Sequence, residues 1–277
     1  MTLTGLVLLA IGAADLVRAF VRVSMPGRRW IGFAVVGLVV ITIGVCAAAP
    51  LAIVVALVSA GVWLWLVPHA GGGRAGAWPM MALLVVCFGG ILVGDGPLGG
   101  GGGGVLTQLP PLASPLGPLS AADMLLLVGT VVFLLESGNV IVRSALALER
   151  VIRPPEEAAM RDVPGAAHDP AVHGPAAPVS VPPLPPPPPA ARASALKGGR
   201  LIGPLERLLV FALTLTGAYT LLAAVIAAKG IVRFPEISRD GENGDRAEYF
   251  LVGSMVSWVT ALAAAFLVWW VLGSGGA

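Results

Sequence analysis

Acidic side chains inside apolar segments are the residues of this chain whose type and position could support chemistry. Asp15 lies in an apolar stretch near the N-terminus, and Glu136 lies near the end of another. A carboxylate in the hydrocarbon of a bilayer is costly, so each is a candidate for a proton or ion pathway. Each also has arginines on the same helix face, Arg18 and Arg22 for Asp15 and Arg143 for Glu136. Pairing at the membrane interface explains both acids more cheaply and is the favoured interpretation.

A second group of charged residues lies near the C-terminus. Glu206 and Arg207 begin one apolar segment, and Lys229 and Arg233 lie one helical turn apart at its far end. Glu248 begins the next apolar segment, so we predict that its carboxylate pairs with Lys229 or Arg233 across the connecting loop. The candidate polar residues of the chain are therefore Asp15, Glu136, Arg143, Glu206, Arg207, Lys229, Arg233, Glu248 and Tyr249.

Small side chains recur every four residues in the last two apolar segments. One stripe comprises Thr216, Thr220, Ala224 and Ala228, and the other comprises Gly253, Ser257, Ala261 and Ala265. Small residues let membrane helices approach closely, and Ser and Thr hydroxyls can bond between them. We therefore predict that the two stripes pack against each other, in preference to lining a substrate groove.

The chain contains no pattern typical of a catalytic, metal or cofactor site. Cys46 and Cys87 lie in apolar runs and are interpreted as small buried side chains. The three histidines lie in apparent loops, so Ser137 has no histidine base within an apolar segment. The Gly-rich run near residue 100 lacks the lysine of a phosphate-binding loop. The sequence therefore predicts no enzyme, no metal and no cofactor.

Composition excludes most soluble classes of protein. Of the 277 residues, 57% are hydrophobic and 12% are charged, whereas a soluble domain carries about 25% charged residues. The net charge is only +2, with 17 Lys and Arg against 15 Asp and Glu. That balance lacks the basic stripe of a nucleic-acid binder. The remaining class is an all-α polytopic protein of the cell membrane.

Seven apolar segments are candidate spans of a transmembrane helical bundle, and the fourth of them is slightly short. They are 2–24, 30–49, 51–68, 78–93, 122–139, 204–228 and 249–272. The count stays open between six and eight because Pro50 divides the second from the third. An outer N-terminus and an inner C-terminus put 13 of the 17 Lys and Arg residues inside and satisfy the positive-inside rule. Four cations remain outside in this frame, namely Lys229, Arg233, Arg239 and Arg246.

The segments and their connections divide the chain into five regions. These are a four-span bundle at 1–93, a Gly- and Pro-rich outer loop at 94–120, a fifth span with an amphipathic interfacial helix at 121–153, a disordered cytoplasmic linker at 154–200, and a C-terminal transmembrane hairpin at 201–277. The linker contains a run of five prolines. It is interpreted as a spacer, and a docking strip for a partner protein is the alternative.

Three blocks of the C-terminal region resemble a family of uncharacterised bacterial multi-pass membrane proteins. They are GRLIGPLER at 199–207, AAKGIVRF at 227–234 and AEYFLVGSMVS at 247–257. Members typically show GRxIGxLER, AAKSIxRF and a similar AEY block. At the N-terminus only Asp15 matches the family's pattern, because its His and Gln are missing here. The resemblance implies a membrane protein with a shared C-terminal hairpin and brings no established activity.

These observations favour a non-catalytic scaffold or partner-binding component. Its expected partners are the lipid bilayer and a membrane or cytoplasmic protein that binds the linker, with no nucleic acid. The alternative is a transporter or channel for a small solute or ion, using Asp15 or Glu136. The second to fourth segments contain almost no polar residues, and no internal repeat is present, which disfavours the alternative.

Overall fold

Residues 1–21, 26–67, 78–93, 104–152, 199–239 and 245–274 are described by the computed structural model of the chain. In these ranges the chain forms eight α-helices and one small β-hairpin. The elements are α1 (Thr2–Phe20), α2 (Pro26–Cys46), α3 (Pro50–Leu66), α4 (Trp78–Val93), a 3-10 helix (Val105–Gln108), β1 (Leu112–Ser114), β2 (Gly117–Leu119), α5 (Ala121–Ile152), α6 (Gly199–Leu215), α7 (Tyr219–Arg239) and α8 (Asp245–Ser274). The predicted linker, up to residue 198, and the three histidines lie outside the described residues.

Four helices are long and apolar enough to cross a membrane. They comprise Thr2–Phe20, Gly27–Cys46, Ala121–Ala147 and Leu251–Gly273. The apolar helices Pro50–Leu66, Pro79–Leu92 and Tyr219–Val232 are shorter. The predicted all-α class is confirmed, with four helices able to span a membrane, whereas the count of seven spans is not confirmed.

The core is built around a close contact between α1 and α5. Gly5 lies beside Leu126 and Gly12 beside Phe133, so the two helices run in the same direction. A Cβ atom added at Gly12 would lie 2.6 Å from the amide nitrogen of Phe133, and one added at Gly129 would lie 2.5 Å from the carbonyl oxygen of Gly5. Glycine at these positions therefore allows the two backbones to touch.

Helices α1 to α4 alternate in direction. The Thr4 hydroxyl, at the start of α1, donates to the carbonyl oxygen of Cys87 in the second half of α4 at 3.0 Å. At the other end, Arg18 of α1 donates to the carbonyl oxygen of Val67, directly after α3, at 2.9 Å. Helix α1 is therefore antiparallel to α4 and parallel to α3.

The reversal between α2 and α3 occurs at the predicted place. Pro50 begins α3, where its missing N–H costs no hydrogen bond. The amide of Ala49 donates to Gly44 O and the amide of Ala48 donates to Val45 O, both at 2.9 Å. This pattern closes the end of α2 and holds Ala48 at a φ of 52°.

A second chain reversal, at Gly217, was not predicted. The amide of Ala218 donates to Leu213 O at 2.9 Å and the amide of Gly217 donates to Thr214 O at 3.2 Å, which is the Schellman pattern of a helix end. Gly217 has a φ of 70°, a conformation that favours glycine. The prediction of one helix over 204–228 is therefore wrong, because two antiparallel helices, α6 and α7, replace it.

This extra helix changes which end of the bundle holds the C-terminus. Helix α7 returns alongside α6 until Lys229 reaches Glu206. Helix α8 then runs antiparallel to α5, since Gly253 near its start lies beside Leu146 in the last third of α5. Helices α1 and α8 consequently point in opposite directions, and the two chain ends lie at one end of the bundle. The predicted frame of seven spans instead places the start of α1 and the end of α8 on opposite sides of the membrane.

The described part of the predicted outer loop contains regular secondary structure. The described part of the predicted outer loop, 104–120, is ordered by the 3-10 helix and by pairing of Ser114 with Gly117 and of Leu112 with Leu119. Helix α5 follows, with a capping box in which the Ser120 amide donates to Asp123 Oδ2 at 2.9 Å and the Asp123 amide donates to Ser120 Oγ at 3.3 Å.

The part of α5 directly after Glu136, which belongs to the predicted interfacial helix, packs within the bundle as far as Leu146. Helix α5 continues without a break, and Glu136, Ser137, Val140, Ile141 and Leu146 are all buried. Ser137 and Asn139 bond to Asp15 and Arg207 of other helices, whereas Glu136 pairs with Arg143 of α5 itself.

Candidate functional site

Polar side chains from five helices meet at one level of the bundle, in what we call the polar layer. Its members are Asp15, Arg18, Trp63, Glu136, Ser137, Asn139, Arg143, Arg207 and Ser257. They belong to α1, α3, α5, α6 and α8. Six of these nine side chains are buried, whereas Arg143 is exposed, so most of the hydrogen bonds of the layer form inside the bundle.

Asp15 is the fully buried acid of the layer. Its Oδ2 atom accepts two hydrogen bonds, from the Trp63 indole at 3.0 Å and from the Ser137 hydroxyl at 2.7 Å. Its Oδ1 atom accepts none among the described residues, and the nearest cation is Arg18 Nη1 at 3.8 Å. The carboxylate therefore joins α1 to α3 and α5 through one oxygen and leaves the other facing a guanidinium.

Arg18 also closes the end of α3. Its Nη1 atom donates to Val67 O at 2.9 Å, and its Nη2 atom donates to Leu64 O. The last carbonyl groups of a helix have no partner within it, and a cation there is favoured by the helix dipole. Asp15 and Arg18 together therefore fix the ends of α1 and α3 side by side.

Glu136 is the second buried acid and lies one residue before Ser137. Its Oε1 atom is 3.3 Å from Arg143 Nη2, and its Oε2 atom accepts from Asn139 Nδ2 at 3.2 Å. Glu136 is buried whereas Arg143 is 45% exposed, so the pair reaches from the interior to the surface of α5. Glu136 is therefore the sequence neighbour of the residue that binds Asp15.

Arg207 carries the positive charge at the centre of the layer and is only 1% exposed. Its Nε atom donates to Leu134 O at 3.0 Å, its Nη1 atom donates to Ser257 Oγ at 3.3 Å, and its Nη2 atom donates to Asn139 Oδ1. One guanidinium therefore connects α6 with both α5 and α8. A planar group with five fixed donors is suited to such a junction.

Gly138 makes room for this guanidinium. A Cβ atom at residue 138 would lie 2.5 Å from Arg207 Nε. Any other residue would therefore push Arg207 away from the carbonyl oxygen of Leu134.

Glu206, next to Arg207, forms a separate contact on the side of α6 that faces α7. Its Oε1 atom accepts from Lys229 Nζ and, at 2.8 Å, from the Trp258 indole. Lys229 Nζ also lies over the Trp258 ring, 5.1 Å from its centre. These three side chains fasten α6, α7 and α8 together.

The side chains of the polar layer can bind and stabilise charged groups inside the bundle. Among the residues that the structure describes, no three His, Cys, Asp or Glu side chains come close enough together to hold a metal ion. Asp15 and Glu136 are the carboxylates at the centre of the polar layer, and both already accept hydrogen bonds. The site connects helices through these bonds.

No family model, curated protein or solved structure matches the chain. Any proposal about the function of this protein therefore rests on the geometry of the polar layer.

The two predicted packing stripes do not meet. Thr216, Thr220, Ala224 and Ala228 are all exposed. The second stripe does face the interior, but it packs on other helices, with Gly253 beside Val142 and Leu146 of α5 and Ser257 bonded to Arg207 of α6. Ala261 and Ala265 of that stripe are fully buried. The stripe prediction is wrong in its partner because the reversal at Gly217 rotates the first stripe outward.

Some candidate side chains lie outside the described part of the structure, and some residues of the site were not predicted. The side chains of Arg233, Glu248 and Tyr249, and all of Arg22, lie outside the described part of the structure, so the predicted Glu248 ion pair stays a prediction. Trp63, Trp258 and Ser257 have partners that the sequence did not indicate. A tryptophan in an otherwise apolar segment was the available signal, because a buried indole N–H needs an acceptor.

Proposed function

We propose that the protein is a multi-pass membrane protein with both chain ends outside and the linker at 154–198 inside the cell. Support comes from the cations of the described helices, of which Arg207 and Lys229 lie at the middle of their helices and the others lie in the halves nearer one end of the bundle. They are Arg18, Arg28, Arg29, Arg143, Arg150, Arg200, Arg207, Lys229, Arg233, Arg239 and Arg246. The positive-inside rule makes that end cytoplasmic.

The reversal at Gly217 is what moves the last four of these cations to the inner end. A seven-span frame leaves these four cations outside, against the positive-inside rule. An eight-helix frame leaves no Lys or Arg of the described helices outside. The two frames place Asn243, which follows α7, on opposite sides of the membrane. In a chain without Cys46 and Cys87, Asn243→Cys should react with an impermeant maleimide only after the cells are opened.

Leu116→Cys, in the β-hairpin, is the matched position for the other side and should react in intact cells. Labelling of Asn243→Cys in intact cells would contradict the eight-helix frame.

We further propose that the protein acts as a non-catalytic scaffold that holds a partner at the membrane. The observation that carries this proposal is Arg207, whose Nε, Nη1 and Nη2 atoms all bond to neighbouring helices. A buried cation used in this way fixes one arrangement of helices. The Pro-rich segment supplies the surface that a cytoplasmic partner would bind.

The test is purification from native membranes of the whole chain and of a variant in which 154–198 is replaced by a Gly/Ser segment of equal length. The expected result is a stoichiometric partner with the first and none with the second. Equal recovery of that partner with both would contradict a role for the Pro-rich segment. Purification of the chain without a partner, together with solute turnover, would contradict the scaffold.

A second candidate function is the movement of protons or ions through the polar layer. The observation that favours it is Asp15 Oδ1, a buried carboxylate oxygen that accepts no hydrogen bond from the described residues. Glu136, one residue from the Ser137 that binds Asp15, offers a second acid on the same path. Such acids are typical of proton relays.

Proton flux into liposomes distinguishes the two functions. If the layer conducts, Asp15→Asn should abolish a flux that the native chain supports. Asp123→Asn is the matched control, because Asp123 is an acid of α5 that only caps its first turn. Absence of flux in the native chain would leave the scaffold as the function.

A further inference from the structure

Arg29, in the first turn of α2, is a cation whose hydrogen-bonding capacity is not satisfied. Its Nε atom is buried and has no hydrogen-bond partner among the described residues. The two acids of the polar layer pair with other cations, Asp15 with Arg18 and Glu136 with Arg143. A buried donor without an acceptor destabilises the folded state. The guanidinium of Arg29 therefore needs an acceptor that the described part of the chain does not supply.

A second cation lies close to Arg29. The start of α2 packs on the end of α1, since a Cβ atom added at Gly32 would lie 2.7 Å from Val17 Cγ1. Arg18, the next residue of α1, is close enough for its charge and that of Arg29 to repel each other. The Nη atoms of Arg18 already donate to carbonyl groups at the end of α3. The excess of positive charge at this point favours an anion, and Arg29 is the residue with a donor to offer it.

The surroundings of Arg29 indicate which anion can reach it. Its side chain is only partly buried, so a group at the protein surface has access to the guanidinium. Trp30, the next residue, is 75% exposed, and Trp65, near the end of α3, is 82% exposed. Exposed indoles are favoured at the interface between membrane and water, which is the depth of lipid headgroups. The planar edge of a guanidinium binds two oxygen atoms of a phosphate at once.

We propose that Arg29 binds the phosphate group of an anionic phospholipid and that the charge of Arg18 adds to the attraction. The proposal goes beyond the scaffold function and requires only that α2 lies in a membrane. A phosphate oxygen supplies the acceptor that Arg29 Nε lacks. An anionic headgroup is favoured over a choline headgroup, because choline would bring a further positive charge next to the two arginines.

The test measures the binding of single phospholipids to the whole chain in detergent micelles by native mass spectrometry. Phosphatidylglycerol should bind about fivefold or more tightly than phosphatidylcholine. Arg29→Gln removes the cation and should weaken the binding of phosphatidylglycerol by about fivefold or more. Arg28→Gln is the matched control, because it removes the same charge at the preceding residue, whose side chain is exposed. It should change the affinity by less than about twofold.

A second variant, Arg29→Lys, separates the charge from the shape of the donor and keeps the test valid if Arg29→Gln fails to fold. It should weaken binding by about twofold or more, because an ammonium group lacks the planar edge. Native-like elution from a sizing column shows which variants are folded.

Three results would overturn the proposal. Equal losses in Arg28→Gln and Arg29→Gln would show general attraction to a cationic surface in place of a site at Arg29. Equal affinity for the two phospholipids would overturn the preference for an anionic headgroup. Binding of inorganic phosphate at the same concentrations as phosphatidylglycerol, with loss in Arg29→Gln, would overturn the lipid as the source of the phosphate.

Discussion

Arg207 Nε donates a hydrogen bond to the main-chain oxygen of Leu134, 73 positions earlier in the chain. The carbonyl group lies within α5, in the middle of the bundle, and Gly138 one turn later leaves the space through which the guanidinium reaches it. A side chain thus connects two helices through the backbone of one of them. The position of α6 on α5 is therefore set by one bond geometry as well as by apolar packing.

The first prediction concerns the space at Gly138. Gly138→Ala should lower the free energy of unfolding by about 1–3 kcal/mol, because the new Cβ would displace Arg207 from Leu134. Gly37→Ala in α2, where nothing lies within 4 Å, is the control and should be neutral or up to about 1 kcal/mol stabilising. Unfolding in mixed micelles measures both. Equal effects of the two substitutions would contradict the steric argument.

The second prediction concerns the shape of the cation in the polar layer. Arg207→Lys keeps the charge but cannot donate to Leu134 O, Ser257 and Asn139 together. It should therefore cost about 2–3 kcal/mol of unfolding free energy. Ser257→Ala removes one of these bonds and should cost about 1–2 kcal/mol. The result against this view is an Arg207→Lys chain that is at least as stable as the Ser257→Ala chain.

The third prediction identifies the partner of Lys229. A double-mutant cycle with Glu206→Gln and Lys229→Gln should give a coupling energy of about 1 kcal/mol, since both side chains are less than a quarter exposed. The same cycle with Glu248→Gln measures the pair predicted from the sequence. A larger coupling to Glu248 than to Glu206 would show that the loop pair dominates.

The fourth prediction concerns the turn before α3. Ala48 has a φ of 52°, which costs a non-glycine residue roughly 1 kcal/mol. Ala48→Gly should therefore stabilise the folded chain by up to that amount. Ala47→Gly, one residue earlier and buried at the end of α2, should not stabilise it. A drop in the melting temperature of Ala48→Gly would contradict the predicted relief of strain.

Local features of this fold could be read from the sequence, and distant ones could not. Pro50 marked its turn because proline belongs in the first turn of a helix. The pairs of Asp15 with Arg18 and of Glu136 with Arg143 follow from helical spacing. Gly217 gave no clear signal, because a single glycine is also tolerated inside an apolar helix.

The partners of Arg207 and Trp63 depend on how α5, α6 and α8 meet, which no spacing within one segment encodes. The single missed reversal at Gly217 then changed the side assigned to every later residue. A few backbone dihedral angles at this turn therefore decide the topology, because each chain reversal inverts the direction of the helix that follows.

The bond between Ser137 and Asp15 has a consequence for how the protein is made. The two residues are 122 positions apart. At roughly 5–20 residues per second, a ribosome needs about 6–24 s to synthesise that interval. Asp15 must therefore wait on the order of ten seconds, as the first helix enters the bilayer, before its hydroxyl partner exists. During that interval Arg18, three residues later in the same helix, is the charged partner that the growing chain already supplies.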